Sequence, residues 1–259
     1  MLRKFALGLS LSRLVFTSLL PHWATRLGYK GAIEMNSFRN FLPVMLIAGA
    51  VFLGAIGCNG ASAANKIPDP KVDETVAATK GQEKAIFAGG CFWGIQAVFE
   101  HVKGVDRATA GYSGGDVKNP SYEDVSGGDT GHAESVEVTY DPSRITFGQL
   151  LKIFFSVAHD PTELNRQGPD DGTQYRSAIF YSNAEQQRIA NAYVTQLGEA
   201  KVFSHPIVTQ IAPEKFFYRA EDYHQDYAAH HPHDLYIMMN DAPKVAALKS
   251  EFPNLYVSR

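Results

Sequence analysis

The residue with the greatest chemical potential lies in the run Gly90-Cys91-Phe92-Trp93-Gly94. The chain has two cysteines, and Cys58 falls in an apolar N-terminal region, so Cys91 is the one thiol in the part that can form a globular domain. Cys91 follows a strand pattern and a Gly-Gly turn, and a helix pattern begins there. Unpaired N–H groups and the dipole at a helix start favour an anion, which lowers a thiol pKa and supplies a thiolate nucleophile. A buried, inert core cysteine is the alternative.

Two aromatic residues directly follow this thiol. Phe92 recurs at helical spacing with Ile95, Phe99 and Val102, so it joins the apolar stripe of the predicted helix. Trp93 is rotated by about 100° around the helix axis and therefore points away from that stripe. A tryptophan out of phase with the core beside a thiol indicates the wall of an apolar pocket. Its alternative is simple packing on a neighbouring loop.

A carboxyl group supplies the second chemical element. The segment 133–140 alternates as a strand, and Glu134 shares one face with Val136, Val138 and Tyr140. Burial on that face would raise the carboxyl pKa, so that Glu134 could remain protonated near neutral pH and act as a general acid. The alternative is a frayed strand end at which Glu134 reaches water.

Strand and helix patterns interleave along the rest of the chain. Strands are predicted at residues 84–88, 105–113, 133–140, 175–181 and 206–211, and helices at 92–103, 121–126, 146–158, 182–197 and 221–229. Several connections have the length of hairpins. The pattern therefore predicts an α+β fold, a single two-layer α/β sandwich domain with a mixed β-sheet.

The N-terminal region predicts export. Residues 42–57 are apolar and are followed by Ala61-Ser62-Ala63, which indicates a signal peptide or lipoprotein signal over 35–63, with Cys58 lipidated in the second case. Residues 1–34 form a doubtful N-terminal extension or, because they are basic and nearly free of acids, an organelle transit peptide. We read 64–82 as a linker.

The remaining boundaries and charges limit the partners. We assign 83–240 to the catalytic domain and 241–259 to a C-terminal tail. Six of the 24 basic residues and only Glu34 of the 27 acids precede residue 64, so the domain is acidic. That charge argues against nucleic acid or anionic lipid as a partner, and the membrane enters only through a lipid on Cys58. We expect a periplasmic or lipid-anchored monomer, or an organelle-targeted one.

An ordered set of short motifs resembles the peptide methionine sulfoxide reductase A family. The motifs extend over about residues 84–230 and are Gly90-Cys91-Phe92-Trp93-Gly94, Gly111-Tyr112-Ser113-Gly114-Gly115, Asn119-Pro120-Ser121-Tyr122, Gly131-His132-Ala133-Glu134, His159-Asp160-Pro161-Thr162, Gly172-Thr173-Gln174-Tyr175-Arg176-Ser177 and Ala220-Glu221-Asp222-Tyr223-His224-Gln225. Each is weak alone, but the ordered set is specific.

The resemblance implies reduction of methionine S-sulfoxide, free or in proteins, through a cysteine sulfenic acid. It implies the following roles: Cys91 as nucleophile, Glu134 as proton donor, Tyr122 and Tyr175 as donors to the sulfoxide oxygen, Asp170 as a residue that holds substrate or water, and Phe92 with Trp93 as the clasp on the S-methyl group. It assigns structural roles to His132, His159 and Arg176. No bound cofactor or metal is implied.

The sequence departs from the pattern of many family members because its C-terminal residues lack a second cysteine. Many members recycle the sulfenic acid with a cysteine near the C-terminus, but 241–259 contains none. We therefore predict reduction of Cys91 by an external thiol, either a small thiol or a thioredoxin-type protein. Two other functions remain open from the residues alone. One is a thiol hydrolase with His132 or His224 as base, and the other is an exported, non-catalytic binding protein.

Overall fold

The computed structural model describes residues 67–259. The predicted extension 1–34, the signal 35–63 with Cys58, and the first residues of the predicted linker, 64–66, lie outside that range. Every helix between residues 67 and 259 is too short or too polar to cross a membrane.

A mixed six-stranded sheet forms the centre of the described domain. The described residues contain eight strands, of which six form this sheet: β1 (Glu83–Ala88), β2 (Val105–Ser113), β3 (Ala133–Tyr140), β4 (Arg166–Gln167), β5 (Asp170–Asp171), β6 (Ala178–Tyr181), β7 (Gln210–Pro213) and β8 (Phe217–Arg219). The sheet order is β7-β6-β1-β3-β2-β8, and β4 pairs with β5 in a separate hairpin. Neighbours in the sheet are antiparallel except β6 and β7, which are parallel.

Helices connect the strands. They are α1 (Phe92–Glu100), α2 (Tyr122–Ser126), α3 (Phe147–Ile153), α4 (Ala184–Glu199), α5 (Tyr227–His230) and α6 (Ala242–Glu251). Shorter turns complete the set: π-helical turns at Phe154–Ala158 and Ile237–Asp241, and 3₁₀ turns at Thr173–Tyr175 and Asp222–His224. Together with the mixed sheet, these elements confirm the predicted α+β class.

The main core lies between the sheet and the helices. Phe87 of β1 is fully buried, and its ring stacks on Phe99 of α1 at 5.1 Å and on Phe154 at 4.9 Å. Burying each such ring contributes about 1.5–3 kcal/mol to the free energy of unfolding. Because Phe87 lies four residues before Cys91, this packing fixes the turn from which α1 and the thiol emerge.

The N-terminal segment 67–82 has neither helix nor strand, in keeping with its prolines, yet it is bound to the domain. Asp73 accepts hydrogen bonds from Gly148 N–H at 2.9 Å and from the Thr146 hydroxyl. Glu74 accepts one from Phe147 N–H at 2.6 Å. These bonds satisfy amide groups at the start of α3, which otherwise lack partners. The described part of the predicted linker thus caps a helix of the domain.

The C-terminal segment is also packed on the domain. After the turn Ile237–Asp241, α6 lies against α1 and buries Leu248 completely. Val257 N–H then donates to His101 O at 2.8 Å. Several elements differ from the sequence prediction. The strand predicted at 206–211 lies at Gln210–Pro213, and the helix predicted at 221–229 is divided into the 3₁₀ turn Asp222–His224 and α5. The strand β8 and the helix α6 were not predicted. The helix α1 ends at Glu100, before Gly104, and Tyr175 closes a 3₁₀ turn outside the strand β6.

Candidate active site

One small cavity brings together all seven residues selected from the sequence. It has a volume of about 190 Å³ and is lined by Cys91, Phe92, Trp93, Tyr122, Glu134, Asp170, Tyr175 and Tyr236. Pockets for drug-sized ligands are usually about 300 Å³ or larger, so this space suits a single small side chain. The thiol and the carboxyl group can therefore reach one common small molecule.

Cys91 lies at the junction of β1 and α1, as the N-cap residue of that helix. The preceding turn requires glycine, since Gly90 has φ +96° and a Cβ at Gly89 would lie 2.8 Å from the His159 ring. The side chain of Cys91 is 8% exposed, and the exposed part faces the cavity. Sequence reasoning placed this residue correctly at the start of the helix.

The protonation state of Cys91 differs from the sequence prediction. Burial raises the pKa of the Cys91 thiol well above its usual value, and the carboxyl groups of Glu134 and Asp241 raise it further. The Trp93 backbone N–H and the Lys244 ammonium act in the opposite direction and are weaker. The predicted resting thiolate is therefore wrong: desolvation outweighs the helix start, and the free enzyme holds a thiol.

Glu134 lies near the start of β3 and is only 2% exposed, which excludes the frayed strand end. Its Oε2 accepts a hydrogen bond from Phe92 N–H at 3.1 Å, so it is joined to the first turn of α1. Burial raises the pKa of Glu134 to about 8; the Phe92 bond lowers it, and Asp170 and Asp241 raise it. The carboxyl group therefore keeps its proton at neutral pH, as the strand pattern predicted.

Two phenols face the same space. Tyr122 begins α2, and its backbone N–H donates to Glu221 Oε1 at 2.9 Å. The other oxygen of Glu221 accepts from the Tyr112 hydroxyl at 2.9 Å, so one carboxylate ties α2 to β2. Burial raises the pKa of both Tyr122 and Tyr175 above that of a free tyrosine. Both hydroxyls are therefore hydrogen-bond donors at any pH near neutrality.

The aromatic wall is held by contacts outside the cavity. Phe92 is fully buried, whereas Trp93 stacks on Tyr227 of α5 with 3.8 Å between ring centroids and 11° between planes. The Trp93 Nε1–H donates to His224 Nδ1 at 3.2 Å. Stacking and this hydrogen bond fix the indole ring as a rigid side of the cavity. The rotation predicted between Phe92 and Trp93 is confirmed.

Comparison with known proteins identifies the family. The family profile described as Peptide methionine sulfoxide reductase matches residues 83–255. The chain belongs to the peptide methionine sulfoxide reductase A family. The reductase is 60% identical over 179 residues to a Peptide methionine sulfoxide reductase MsrA 2 of Mesorhizobium japonicum, covering 69% of this chain and 92% of that protein. It is 50% identical over 188 residues to an MsrA 2 of Synechocystis, covering 72% and 88%.

Solved structures agree with this assignment. Reduced Mxr1 from Saccharomyces cerevisiae superposes with a TM-score of 0.53 at 34% identity, covering 63% of this chain and 92% of that one. Methionine sulfoxide reductase A of Corynebacterium diphtheriae gives 0.52 at 37% identity, covering 60% and 77%. The reductase is therefore an oxidoreductase that acts on methionine sulfoxide.

Two histidines of the reductase, His132 and His224, make their hydrogen bonds outside the cavity. His132 Nδ1 accepts from Gly115 N–H at 3.2 Å, and its Nε2 lies 2.8 Å from Val117 O. His224 packs behind the wall, with its Nδ1 engaged by Trp93, and burial lowers its pKa. Neither ring lines the cavity, so neither is placed as the base that a thiol hydrolase would need.

Buried polar contacts explain the two other family-motif residues that we regarded as structural. His159 bonds through Nδ1 to Phe154 O at 3.1 Å and through Nε2 to the Ser177 hydroxyl at 2.7 Å, while burial lowers its pKa to about 3. The Arg176 guanidinium donates to Thr173 O at 2.9 Å and to two further oxygens. His159 thus joins the π-helical turn to the residue before β6, and Arg176 joins β7 to the loop before β3.

Sequence reasoning missed Tyr236, the eighth residue of the cavity. Its hydroxyl donates to Asp170 Oδ2 in the β4-β5 hairpin and so connects the C-terminal segment to the site. Tyr236 follows the His-rich segment 230–233 and lies in no matched motif, which is why spacing gave no signal for it. The contact shows that Asp170 is held from outside its own loop.

We expect Tyr236→Phe to lower the rate of methionine sulfoxide reduction by about tenfold, since loss of one hydrogen bond to a charged group costs about 1.5 kcal/mol. Initial rates with a methionine sulfoxide peptide measure this. Tyr193→Phe is the matched control, because its hydroxyl bonds to Pro68 O at 2.8 Å, in a contact with the N-terminal segment. Equal rates for wild type and Tyr236→Phe would show that the Asp170 contact has no part in catalysis.

Proposed function

We propose that this reductase converts methionine S-sulfoxide, free or in proteins, to methionine, with Cys91 as the nucleophile. The observation that carries the proposal is a single small cavity holding a thiol, a protonated carboxyl group and two phenol donors. The sulfur of a sulfoxide is a poor electrophile until its oxygen gains a proton. A nucleophile and an acid must therefore act on the same molecule.

In the resting site both Glu134 and Cys91 carry a proton, and the order of proton transfers follows from this. Glu134 starts protonated and gives its proton to the sulfoxide oxygen, which creates a cationic sulfur centre. That positive charge lowers the pKa of the adjacent Cys91, and the thiol proton passes to the vacated Glu134 carboxylate. Oxygen transfer then yields Cys91 sulfenic acid and methionine. The cysteine sulfur loses two electrons, the methionine sulfur gains two, and Glu134 ends protonated as it began.

The remaining residues orient the substrate. The Tyr122 and Tyr175 hydroxyls donate hydrogen bonds to the sulfoxide oxygen, and Phe92 with Trp93 clasps the S-methyl group. Asp170, held by Tyr236, binds the substrate or a water. An apolar wall on one side and phenol donors on the other distinguish the methyl group from the oxygen, so the site can select one epimer of the sulfoxide, and we propose that it is the S epimer.

An external thiol restores the enzyme. One thiol condenses with the sulfenic acid to give a mixed disulfide and water, and a second thiol releases Cys91 as a disulfide of the reductant. Cys91 is the only cysteine in the described range 67–259. We propose a small thiol or a thioredoxin-type protein as the donor, and oxidised proteins of an exported compartment, periplasmic or reached from a lipid anchor on Cys58, as substrates.

The first test is catalysis itself. Wild-type protein with dithiothreitol and a methionine sulfoxide peptide should form methionine, whereas Cys91→Ser should form none above the blank, because it lacks the thiol. Chromatography of the peptide measures both. Turnover by Cys91→Ser, or none by the wild type, would refute the proposal, and the second result would favour a non-catalytic binding protein.

The second test concerns the acid. The wild-type reduction rate should fall as pH rises through about 8, where Glu134 loses its proton. Glu134→Gln should lower the rate at neutral pH by about 10²–10⁴-fold and remove this descending limb, since it has no proton to give. Glu137→Gln is the matched control on the same strand: Glu137 pairs with Lys84 at 2.9 Å on the opposite face. A hydrolase using histidine would be almost insensitive to Glu134→Gln.

The third test concerns recycling. Without added thiol, the protein should form one methionine per Cys91 and then stop, with Cys91 labelled by a sulfenic-acid probe. Cys58→Ser should give the same stoichiometry, because the sulfenic acid awaits an external thiol. Peptide mass spectrometry measures the label. A protected Cys58–Cys91 disulfide, or two methionines per chain without thiol, would contradict a one-cysteine cycle.

A further inference from the structure

A buried ion pair from the C-terminal segment lies directly behind the catalytic helix. Asp241 ends the π-helical turn before α6 and has no exposed surface. Its Oδ1 lies 3.2 Å from Lys244 Nζ, one helical turn further along the chain. Its Oδ2 is buried and has no hydrogen-bond partner among residues 67–259. The Lys244 side chain is 18% exposed, so it reaches solvent while the carboxylate does not.

The pair presses on the first turn of α1. A Cβ placed on Gly94 would overlap Asp241 Oδ1 and would lie 2.8 Å from Lys244 Nζ. Gly94 is three residues after Cys91, and it has an ordinary helical backbone, so its lack of a side chain is required by this close approach. The second glycine of the Gly-Cys-Phe-Trp-Gly run thus makes room for a charge beside the thiol.

Packing alone does not account for this arrangement. Removing a carboxylate from water is costly, and a buried ion pair is often no more stabilising than apolar residues of equal volume. The unpartnered Oδ2 increases the cost. A charge maintained at such expense, next to two groups that exchange a proton, indicates a role in that exchange.

We propose that Asp241 and Lys244 are positioning residues of the reduction, and that their ion pair against Gly94 sets the field in which Cys91 and Glu134 hold their protons. The inference rests on the proposed function of the cavity and extends it to the C-terminal helix. Asp241 opposes the appearance of a second negative charge nearby. It therefore keeps both Glu134 and Cys91 protonated until a cationic, protonated sulfoxide is present.

Several charged or titratable groups face the pair, and each interacts electrostatically with Asp241 or Lys244. Those facing Asp241 are Cys91 on α1, Glu134 on β3, Asp170 on β5, Tyr236 before its own turn and Lys244 on α6, while His159 faces Lys244. The Asp241 charge raises the pKa of both Glu134 and Cys91, after burial as the main cause. Lys244 lowers the pKa of Cys91. The two members of the pair thus act on Cys91 with opposite sign.

The test uses the pH dependence of Cys91 alkylation by iodoacetamide, read on the Cys91 peptide by mass spectrometry in the full chain. Only the thiolate reacts, so the alkylation rate rises through the Cys91 pKa. Asp241→Asn should move this rise to lower pH by about one unit, whereas Lys244→Gln should move it to higher pH. Asp241→Asn should also shift the descending limb of sulfoxide reduction to lower pH.

The control is Asp141→Asn. Asp141 is equally buried, but it accepts hydrogen bonds from Gly81 and Ser143 in the loop after β3, so its loss should leave the alkylation profile unchanged. Thermal unfolding shows which variants are folded. If Asp241→Asn does not fold, the shift of the alkylation profile to higher pH expected for Lys244→Gln tests the inference by itself.

Unchanged profiles in the folded variants, or shifts of the same sign, would overturn the inference. Because alkylation needs no sulfoxide, it also separates this failure from failure of the proposed function. A protein that does not reduce methionine sulfoxide yet shows both shifts would refute only the proposed function.

Discussion

The hydrogen bond from Phe92 N–H to Glu134 Oε2 joins the two halves of the active site. The donor belongs to the first turn of α1, directly after Cys91, and the acceptor belongs to β3 in the middle of the sheet. The bond keeps thiol and carboxyl at one cavity and lowers the carboxyl pKa, against the larger effect of burial. The result is a weakly acidic carboxyl group at a buried site, and the proposed chemistry requires it.

The sheet supplies the rigidity behind this contact. β3 lies between β1 and β2, so Glu134 and the β1-α1 turn are fixed by the same antiparallel ladders. Tyr122, Tyr175 and Asp170 lie on shorter elements. Two of them are hydrogen-bonded to residues far away in the sequence: the Tyr122 backbone N–H to Glu221, and Asp170 to the Tyr236 hydroxyl. The two groups proposed to exchange the proton are thus held by a long strand and by the start of α1, whereas Tyr122, Asp170 and Tyr175 lie on a short helix, a two-residue strand and a 3₁₀ turn.

Local patterns in the sequence were sufficient to select the thiol and the buried carboxyl group of the cavity and to predict most of the fold. The alternation over 133–140 placed Glu134 on the buried face, although both faces of β3 proved to be buried because it is a central strand. Helical spacing placed Phe92 and Trp93. Local sequence patterns could not predict contacts between segments that are distant along the chain. Tyr236 and Asp241 lie about 150 residues from Cys91, and without Asp241 the burial and charge around the thiol were underestimated, so its resting state was predicted wrongly.

The order of the segments along the chain has a consequence for biosynthesis. Cys91 precedes by about 150 residues the segment around Tyr236 and α6, which supplies one wall of its cavity and the buried carboxylate that lies against Gly94. A nascent chain that has not yet reached Tyr236 and α6 therefore lacks two of the contacts that enclose Cys91. Products that end before these elements would leave the sulfur more open to oxidative damage than the folded protein does.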